Sequence, residues 1–324
     1  MHGLKVGRAV IAFLLMTIAY IGTLLWVDQG KGLFSGIHRL YSVLPTLVLI
    51  SLLSYLARYV RWHWLLARAG VSIRPLRGFV AYLAGFAFTA TPGKVGELLR
   101  IRYFQPMGAP PALVLSTFVY ERVFDLIVVL CLAGMAASDF GIFPLVLVFV
   151  LLILSTVFLL ARYPGWLLHM ARYLERRQMG RLARLADLFA RGFAHTKVWI
   201  TPLDVLVSLV TGLVAWALTA YAFVLLLDHL GLDVPALLAF SLYPVAMLAG
   251  AASMLPGGIG STEAVLILLL AGLGVGLVNG TIAAIGVRLA TLWFATLLGL
   301  ISILILESIL KPDGKSTGPS LGTR

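Results

Sequence analysis

Long apolar runs follow one another along the chain, and polar residues are confined to short clusters between them. The apolar residues are continuous and do not alternate with polar ones, which predicts membrane-spanning α-helices and not the strands of a barrel. Six runs reach the roughly 20 residues that a helix needs to cross a bilayer. The predicted spans lie at about 9–27, 43–67, 112–136, 142–162, 203–227 and 279–307.

Two further apolar stretches are each interrupted near the middle by proline and glycine. The first covers about 78–90 and 94–104, and the second covers about 235–254 and 261–275. A non-helical backbone persists at membrane depth only where protein buries it or where it lines a wet cavity. Each stretch is therefore predicted to be a re-entrant hairpin of two half-length helices.

The two interruptions have similar sequences. They read Thr91-Pro-Gly-Lys-Val-Gly-Glu97 and Leu255-Pro-Gly-Gly-Ile-Gly-Ser-Thr-Glu263. Proline has no amide hydrogen and glycine is conformationally free, so neither residue favours a continuing helix. The residues predicted to break the helices are Pro92, Gly93 and Gly96 in the first stretch and Pro256, Gly257, Gly258 and Gly260 in the second.

The order of spans and hairpins predicts an inverted repeat. Three full crossings, an odd number, separate the two hairpins, so the hairpins should enter the membrane from opposite faces. Residues at about 43–136 and about 203–307 would then be the two repeats of one transmembrane domain that covers 1–324. Paired interruptions of this kind point to a substrate site near the middle of the membrane.

Composition supports an all-α integral membrane protein, because 61% of the residues are hydrophobic, 12% are charged and the mean hydropathy is +1.02. A net charge of +12 could indicate nucleic-acid binding. However, the basic residues cluster in loops and helix ends on one side, as in cytoplasmic loops. We therefore expect a multi-pass protein of the cytoplasmic (inner) membrane with both termini inside and no nucleic-acid partner.

The basic, amphipathic connector at about 165–197 should lie in the cytoplasmic interface.

Ionisable residues within the predicted spans are the main candidates for function, because a charge inside a membrane is costly. Glu97 and Glu263 follow the two breaks, where a helix N-terminus favours an anion. Each could pair with a buried arginine, bind a cationic headgroup or carry a proton, and helix capping is the structural alternative. Arg122 and Arg288 each lie 25 residues after one of these glutamates and could meet phosphate, or Arg122 could pair with Asp125. The candidate substrate-binding residues are Glu97, Glu263, Arg122, Arg288, Lys94, Arg58, Arg61, Asp125 and Glu121.

The sequence contains no recognisable enzyme motif. Gly93-Lys94 is followed by Val95 and lacks the hydroxyl residue of a nucleotide-binding loop. No two histidines have metal-ligand spacing, and no serine lies in a nucleophile elbow. We therefore expect a transporter without metal or cofactor, and not an enzyme.

A family resemblance rests on motifs in a fixed order. They are Arg58…Arg61-Trp62, Thr91-Pro-Gly-Lys-Val-Gly-Glu97, Glu121-Arg122…Asp125, Pro256-Gly-Gly-Ile-Gly…Glu263 and Arg288. Together these motifs resemble the transmembrane flippase-like region of lysylphosphatidylglycerol synthases over nearly the whole chain. About 17 residues follow the last predicted span, so a stand-alone member without the soluble aminoacyltransferase domain is expected.

The resemblance implies a flippase or scramblase that moves a polar-headgroup lipid across the cytoplasmic membrane. An anionic phospholipid, a glycolipid and a polyprenyl-phosphate-linked sugar are all compatible with it. Two other functions stay open: a membrane-embedded transferase or hydrolase that acts on a lipid-linked substrate, and a non-transporting partner of a lipid-modifying enzyme. A homo-oligomer is also compatible with the sequence.

Overall fold

The computed structural model describes residues 36–135, 143–163, 165–199 and 201–310. Within these ranges the secondary structure is helical and contains no strand, which confirms the predicted all-α class. The predicted span at about 9–27 and the turn between the third and fourth predicted spans lie outside the described residues.

Twelve α-helices are present in the described part of the chain. They are α1 (Leu44–Arg68), α2 (Pro75–Ala84), α3 (Arg100–Phe104), α4 (Pro111–Gly134), α5 (Phe143–Arg162), α6 (Gly165–Arg176), α7 (Gly180–His195), α8 (Pro202–His229), α9 (Ala236–Ala252), α10 (Ser261–Gly272), α11 (Leu277–Arg288) and α12 (Phe294–Leu310). Short 3-10 helices cover His38–Leu40, Gly85–Phe88, Pro92–Leu99, Gln105–Met107, Thr196–Trp199 and Pro256–Gly258, and a π-helical turn at Leu289–Trp293 joins α11 to α12.

Three helices of the described chain are long and apolar enough to cross a membrane by length and composition: Leu44–Arg68, Pro202–His229 and Leu277–Ile309. They correspond to the predicted spans at about 43–67, 203–227 and 279–307. Helix α4 is 24 residues long but carries three charged residues at its centre. The total of six crossings stays a prediction.

Proline and a hydroxyl cap mark several helix starts. Helices α1, α2, α4 and α8 each have proline at one of their first two positions, where the missing amide hydrogen costs nothing. The Thr201 hydroxyl also accepts a hydrogen bond from the Asp204 amide at the start of α8. Local sequence therefore determines where these long helices begin.

The first interrupted stretch differs in detail from its prediction. Helix α2 continues into the 3-10 turn Gly85–Phe88, as expected for a first leg that ends before the break. The second leg was predicted as a helix at about 94–104, but it begins as the 3-10 helix Pro92–Leu99 and becomes α-helical only in α3. The reason is the left-handed backbone of Lys94, whose φ of 56° is incompatible with a regular α-helical turn.

The basic connector is also more structured than predicted. In place of one amphipathic segment at about 165–197, two helices, α6 and α7, pack against each other around a left-handed turn at Gln178. Helix α7 also packs on α4, where the Ser116 hydroxyl donates to the Gly192 carbonyl at 2.7 Å. The connector therefore contacts the helix that carries Glu121, Arg122 and Asp125.

Two apolar clusters form the core. One joins the first half of α1 to the end of α8 and to α9, α10 and α11, and the other joins the second half of α1 to α2, α4 and α12. Asp125 lies on α4 between Phe124 of the second cluster and Val128 of the first. The charged residues of α4 are thus held at the boundary between the two clusters.

The first interrupted stretch is held against α12 by close backbone contact at Gly299. A Cβ atom at this position would lie 2.1 Å from the backbone nitrogen of Ala87 and 2.7 Å from the carbonyl carbon of Phe86. We expect Gly299→Ala to separate α12 from the first interrupted stretch and to destabilise the protein by about 1–3 kcal/mol, as overpacking does. Thermal unfolding of the purified protein in detergent would measure this.

Gly272→Ala in α10 is the matched control, because a Cβ there meets no atom within 4 Å among the described residues. Equal melting temperatures for the two variants would contradict the close contact.

Candidate functional site

The two helix breaks lie against each other. A Cβ atom on Gly257 would be 3.1 Å from the Cα atom of Ala90, just before the first break. The 3-10 helices Pro92–Leu99 and Pro256–Gly258 are also in contact. Two segments about 160 residues apart in sequence therefore form one structural feature.

Left-handed backbone conformations occur in both breaks. In the second break Gly257, Gly258 and Gly260 have φ values of 62°, 64° and 84°, which glycine adopts at little cost. In the first break the left-handed residue is Lys94, with a φ of 56°. A lysine is strained in this conformation because its Cβ approaches the following carbonyl.

Gly96 is required in the first break because a side chain there would clash, and not because of a left-handed backbone. A Cβ atom on Gly96 would lie 2.5 Å from the Phe88 carbonyl oxygen, and the Gly96 amide donates to the Thr91 hydroxyl at 2.8 Å. The chain therefore folds tightly back on itself at this point. The predicted break residues Pro92 and Gly93 belong to the same 3-10 helix.

Arg288 ties the second break to α11. Its Nε donates to Glu263 at 2.8 Å and its Nη2 donates to the Gly257 carbonyl at 2.6 Å, while Nη1 lies 4.0 Å from the Met247 sulfur. Glu263 also accepts a hydrogen bond from the Gly260 amide at 2.8 Å, so it caps α10. Two residues that lie 25 positions apart in the sequence thus form an ion pair, and all three guanidinium nitrogens of Arg288 contact protein.

The first break does not repeat this pairing. The predicted counterpart of Arg288 is Arg122, but Glu97 instead accepts a hydrogen bond from the Thr89 hydroxyl at 3.0 Å and lies 3.1 Å from Arg100. The repeat in sequence therefore does not extend to the ion pairs.

Arg100 is a buried site residue that was not predicted. It is 1% exposed, and its Nε donates to the Tyr82 carbonyl at 3.0 Å, while Nη1 lies 3.4 Å from Glu121. Its guanidinium also lies over the Tyr82 ring, 3.9 Å from the ring centre. The sequence contains one indication that Arg100 belongs to the site. It lies three residues after Glu97, a spacing at which two side chains on a helix can form an ion pair.

Asp125 is held by two arginines of α1. Arg58 Nη1 and Arg61 Nη2 each donate to one Asp125 oxygen at 2.6 Å. Arg61 also lies 3.3 Å from Glu121, and Arg58 lies over the Trp216 ring at 4.6 Å. Both predicted arginines are therefore engaged in a buried network between α1 and α4.

Arg122 and Lys94 form fewer aligned hydrogen bonds with protein than the other cations of the site do. Arg122 lies 3.2 Å from both Glu121 and Asp125, but it donates no well-aligned hydrogen bond, and its buried Nε has no partner among the described residues. Lys94 makes no ion pair or hydrogen bond with the residues that the structure describes, although it lines the same cavity as Glu97. These two side chains can bind a ligand without breaking an aligned contact.

Two adjoining cavities lie at the meeting point of the breaks. A polar cavity of about 80 Å³ is lined by Arg58, Glu97 and Arg288, and an apolar cavity of about 330 Å³ is lined by Leu126 and Val129 among others. The residues that line both cavities are Lys94, Arg122, Trp216, Met247 and Gly257. The cavities are therefore neighbouring parts of one site with a polar and an apolar end.

The nine predicted site residues divide into two groups. Those that line a cavity are Lys94, Glu97, Arg58, Arg122, Asp125 and Arg288, and those that stand behind the lining are Arg61, Glu121 and Glu263. Trp216 and Met247 were not predicted as site residues, because an isolated apolar side chain on a helix gives no signal in one sequence.

A known protein family matches most of the chain. Residues 8–299 match the family described as the lysylphosphatidylglycerol synthase TM region. No curated protein sequence matches the chain significantly. Because the match includes both breaks and every charged residue of the site, the chain belongs to the lysylphosphatidylglycerol synthase TM region family and is a membrane protein.

Proposed function

We propose that this protein is a flippase or scramblase that moves a polar-headgroup lipid between the leaflets of the cytoplasmic membrane. The observation that supports this most is the polar cavity that adjoins a larger apolar cavity where the two breaks meet. A lipid has the same division between a polar headgroup and apolar chains. The membership of the family, whose name refers to a phospholipid synthase, agrees with a lipid substrate.

A buried polar site lowers the energy barrier that keeps headgroups in their own leaflet. Placing a charged group at the centre of a bilayer costs at least about 2.5–3.5 kcal/mol, because hydrocarbon offers no hydrogen bonds. Lys94, Arg122 and Trp216 offer polar hydrogens beside an apolar wall that includes Leu126 and Phe149. The headgroup can pass the polar end while the chains remain in apolar surroundings.

We place this site near the middle of the membrane, between two re-entrant hairpins of opposite orientation. The contact between Gly257 and Ala90 supports this arrangement, because two half-length helices that enter from opposite faces would meet at mid-depth. The connector α6–α7 would lie in the cytoplasmic interface, since it exposes both apolar residues, such as Trp166 and Leu185, and basic ones, such as Arg184.

The proposal is tested with the purified full chain in proteoliposomes that contain a headgroup-labelled lipid and an external quencher. We expect faster exposure of the label than in protein-free vesicles for at least one of three lipids: an anionic phospholipid, a glycolipid or a polyprenyl-phosphate-linked sugar. Ala251 lines the apolar cavity and is exposed, so Ala251→Trp should obstruct it. We expect this variant to expose the label about tenfold more slowly than the unchanged protein, which corresponds to a transport barrier raised by about 1.4 kcal/mol.

Ala271→Trp is the matched control, because Ala271 is exposed on α10 and lines neither cavity. Protein that accelerates none of the three lipids would contradict transport. Covalent product formation would instead assign a transferase, and copurification with a lipid-modifying enzyme without transport would assign a partner role.

A further inference from the structure

We propose that Lys94 and Arg122 form a phosphate-binding pair, and that the site accepts a lipid with an anionic phosphate headgroup in preference to a net-positive aminoacylated one. This inference deepens the proposed transport function, on which its choice of a lipid as the source of the phosphate rests. The binding site itself is argued from contacts that do not depend on transport.

The other cations of the site are already engaged by protein. Arg58 and Arg61 donate to the two oxygens of Asp125 at 2.6 Å. Arg100 contacts Glu97 and Glu121 and lies over an aromatic ring, and Arg288 uses all three of its nitrogens in holding the second break. Arg61 and Arg100 each have one buried nitrogen without a hydrogen-bond partner among the described residues, but they line neither cavity. Arg58 and Arg288 line the polar cavity, but aligned hydrogen bonds already hold them to protein, so these four arginines have little capacity to bind a ligand.

Lys94 and Arg122 are the two cations that line both cavities. Neither donates an aligned hydrogen bond to a described residue, and the Arg122 Nε is buried without a partner. The indole nitrogen of Trp216, a residue only 6% exposed, lines the same junction and also has no partner in the described chain. A phosphate carries several acceptor oxygens and is suited to a guanidinium and an ammonium that converge on it.

Each of the four carboxylates of the site already contacts at least one arginine. Glu97 contacts Arg100, Glu263 contacts Arg288, and Glu121 and Asp125 each contact several arginines. Within the described residues the site contains six cations and four carboxylates, an excess of two positive charges. The cations are Arg58, Arg61, Lys94, Arg100, Arg122 and Arg288, and the carboxylates are Glu97, Glu121, Asp125 and Glu263. An anionic ligand offsets this excess, whereas a net-positive one increases it.

The backbone of Lys94 provides independent support. When the two breaks are aligned on their shared prolines, Lys94 corresponds to Gly258, and both are left-handed, with φ values of 56° and 64°. The second break has glycine at this position, where glycine is unstrained, but the first has lysine. A strained lysine that forms no hydrogen bond or ion pair with the described residues is best explained by a contact with a ligand.

Binding is measured with the purified full chain in detergent, by the change in tryptophan fluorescence on titration with short-chain lipids. Four probes are compared: phosphatidylglycerol, lysylphosphatidylglycerol, a neutral galactosyl diacylglycerol, and inorganic phosphate. We expect phosphatidylglycerol to bind most tightly and inorganic phosphate to compete only weakly, since it lacks the chain for the apolar cavity. Tighter binding of the lysylated or the neutral lipid would overturn the proposal, and equal affinity for inorganic phosphate would assign the site to the free ion and not to a lipid.

Lys94→Gly is the diagnostic variant, because it affects binding and stability in different ways. It should weaken phosphatidylglycerol binding by about tenfold or more, the value of a lost charged hydrogen bond. Its melting temperature should be unchanged or higher, because glycine relieves the left-handed strain. A Lys94 with a purely structural role predicts the reverse: a lower melting temperature and unchanged binding.

Lys94→Gln and Arg122→Gln should weaken binding to a similar extent, and Arg77→Gln, at an exposed position of α2, is the control that should not. If Arg122→Gln does not fold, Lys94→Gly still decides the outcome. Transport of a neutral lipid that is insensitive to Lys94→Gly would refute this inference and leave the transport proposal standing. Conversely, Lys94-dependent binding of phosphatidylglycerol without transport of any lipid would refute transport and retain the phosphate site.

Discussion

Asp125→Asn is expected to destabilise the protein by about 3–5 kcal/mol, the cost of removing one partner from a buried ion pair. Asp125 accepts hydrogen bonds at 2.6 Å from Arg58 and from Arg61, and it also lies 3.2 Å from Arg122. Asparagine keeps the shape of the side chain but removes the charge that the three guanidinium groups share. They would then repel one another in surroundings that water reaches poorly.

Thermal unfolding in detergent, followed by size-exclusion chromatography, would measure this loss. The control is Asp187→Asn, because Asp187 pairs with Arg191 on the exposed surface of α7, where an ion pair contributes at most about 1 kcal/mol. If both variants melted at the same temperature, the buried network would not be holding α1 and α4 together.

The second large effect is expected at the pair of Arg288 and Glu263. Arg288→Met should cost about 3–5 kcal/mol, because it leaves Glu263 buried without its partner and removes the hydrogen bond to the Gly257 carbonyl. The second break would then lose its link to α11 and its contact with the first break. On the proposed function, transport should be lost as well.

A double-mutant cycle measures the interaction energy between Glu263 and Arg288 apart from the contacts that each makes with other residues. Glu263→Gln alone should also destabilise, because it leaves the charge of Arg288 unpaired. The double variant of Glu263→Gln with Arg288→Met should cost less than the two single changes added together, by about 0.5–3 kcal/mol, as for residues in direct contact. Additive costs in thermal unfolding would mean that the two side chains do not act on each other.

The helical architecture could be predicted largely from local sequence. The continuous apolar runs correspond to α1, α4, α5, α8 and the joined helices α11 and α12, and the basic connector corresponds to α6 and α7. The prolines at the starts of α1, α2, α4 and α8 lie where a helix loses no hydrogen bond. The breaks at Thr91–Glu97 and Leu255–Glu263 could also be placed. These properties depend on backbone dihedrals and on hydrogen bonds between residues close in sequence, so a single sequence contains them.

The pairing of the charges could be predicted only in part. The alternative that Arg122 pairs with Asp125 is present, at 3.2 Å. The spacing of 25 residues marks Glu263 and Arg288, which are in contact, but the same spacing in the first half marks Glu97 and Arg122, whereas Glu97 contacts Arg100. Several arginines and carboxylates meet near α4, and each could pair with more than one partner at similar energy. Side-chain packing, such as Arg100 over Tyr82, selects among these pairings.

The amino-acid sequence alone determines that this chain is a helical membrane protein with two interrupted stretches, because bilayer thickness and backbone hydrogen bonding act directly on composition and on proline and glycine. Only the tertiary structure decides that the interruptions touch, that four arginines are engaged by protein, and that Lys94 and Arg122 remain available between a polar and an apolar cavity. Such contacts depend on distances of a few ångströms between segments far apart in sequence, and the sequence does not encode these distances locally.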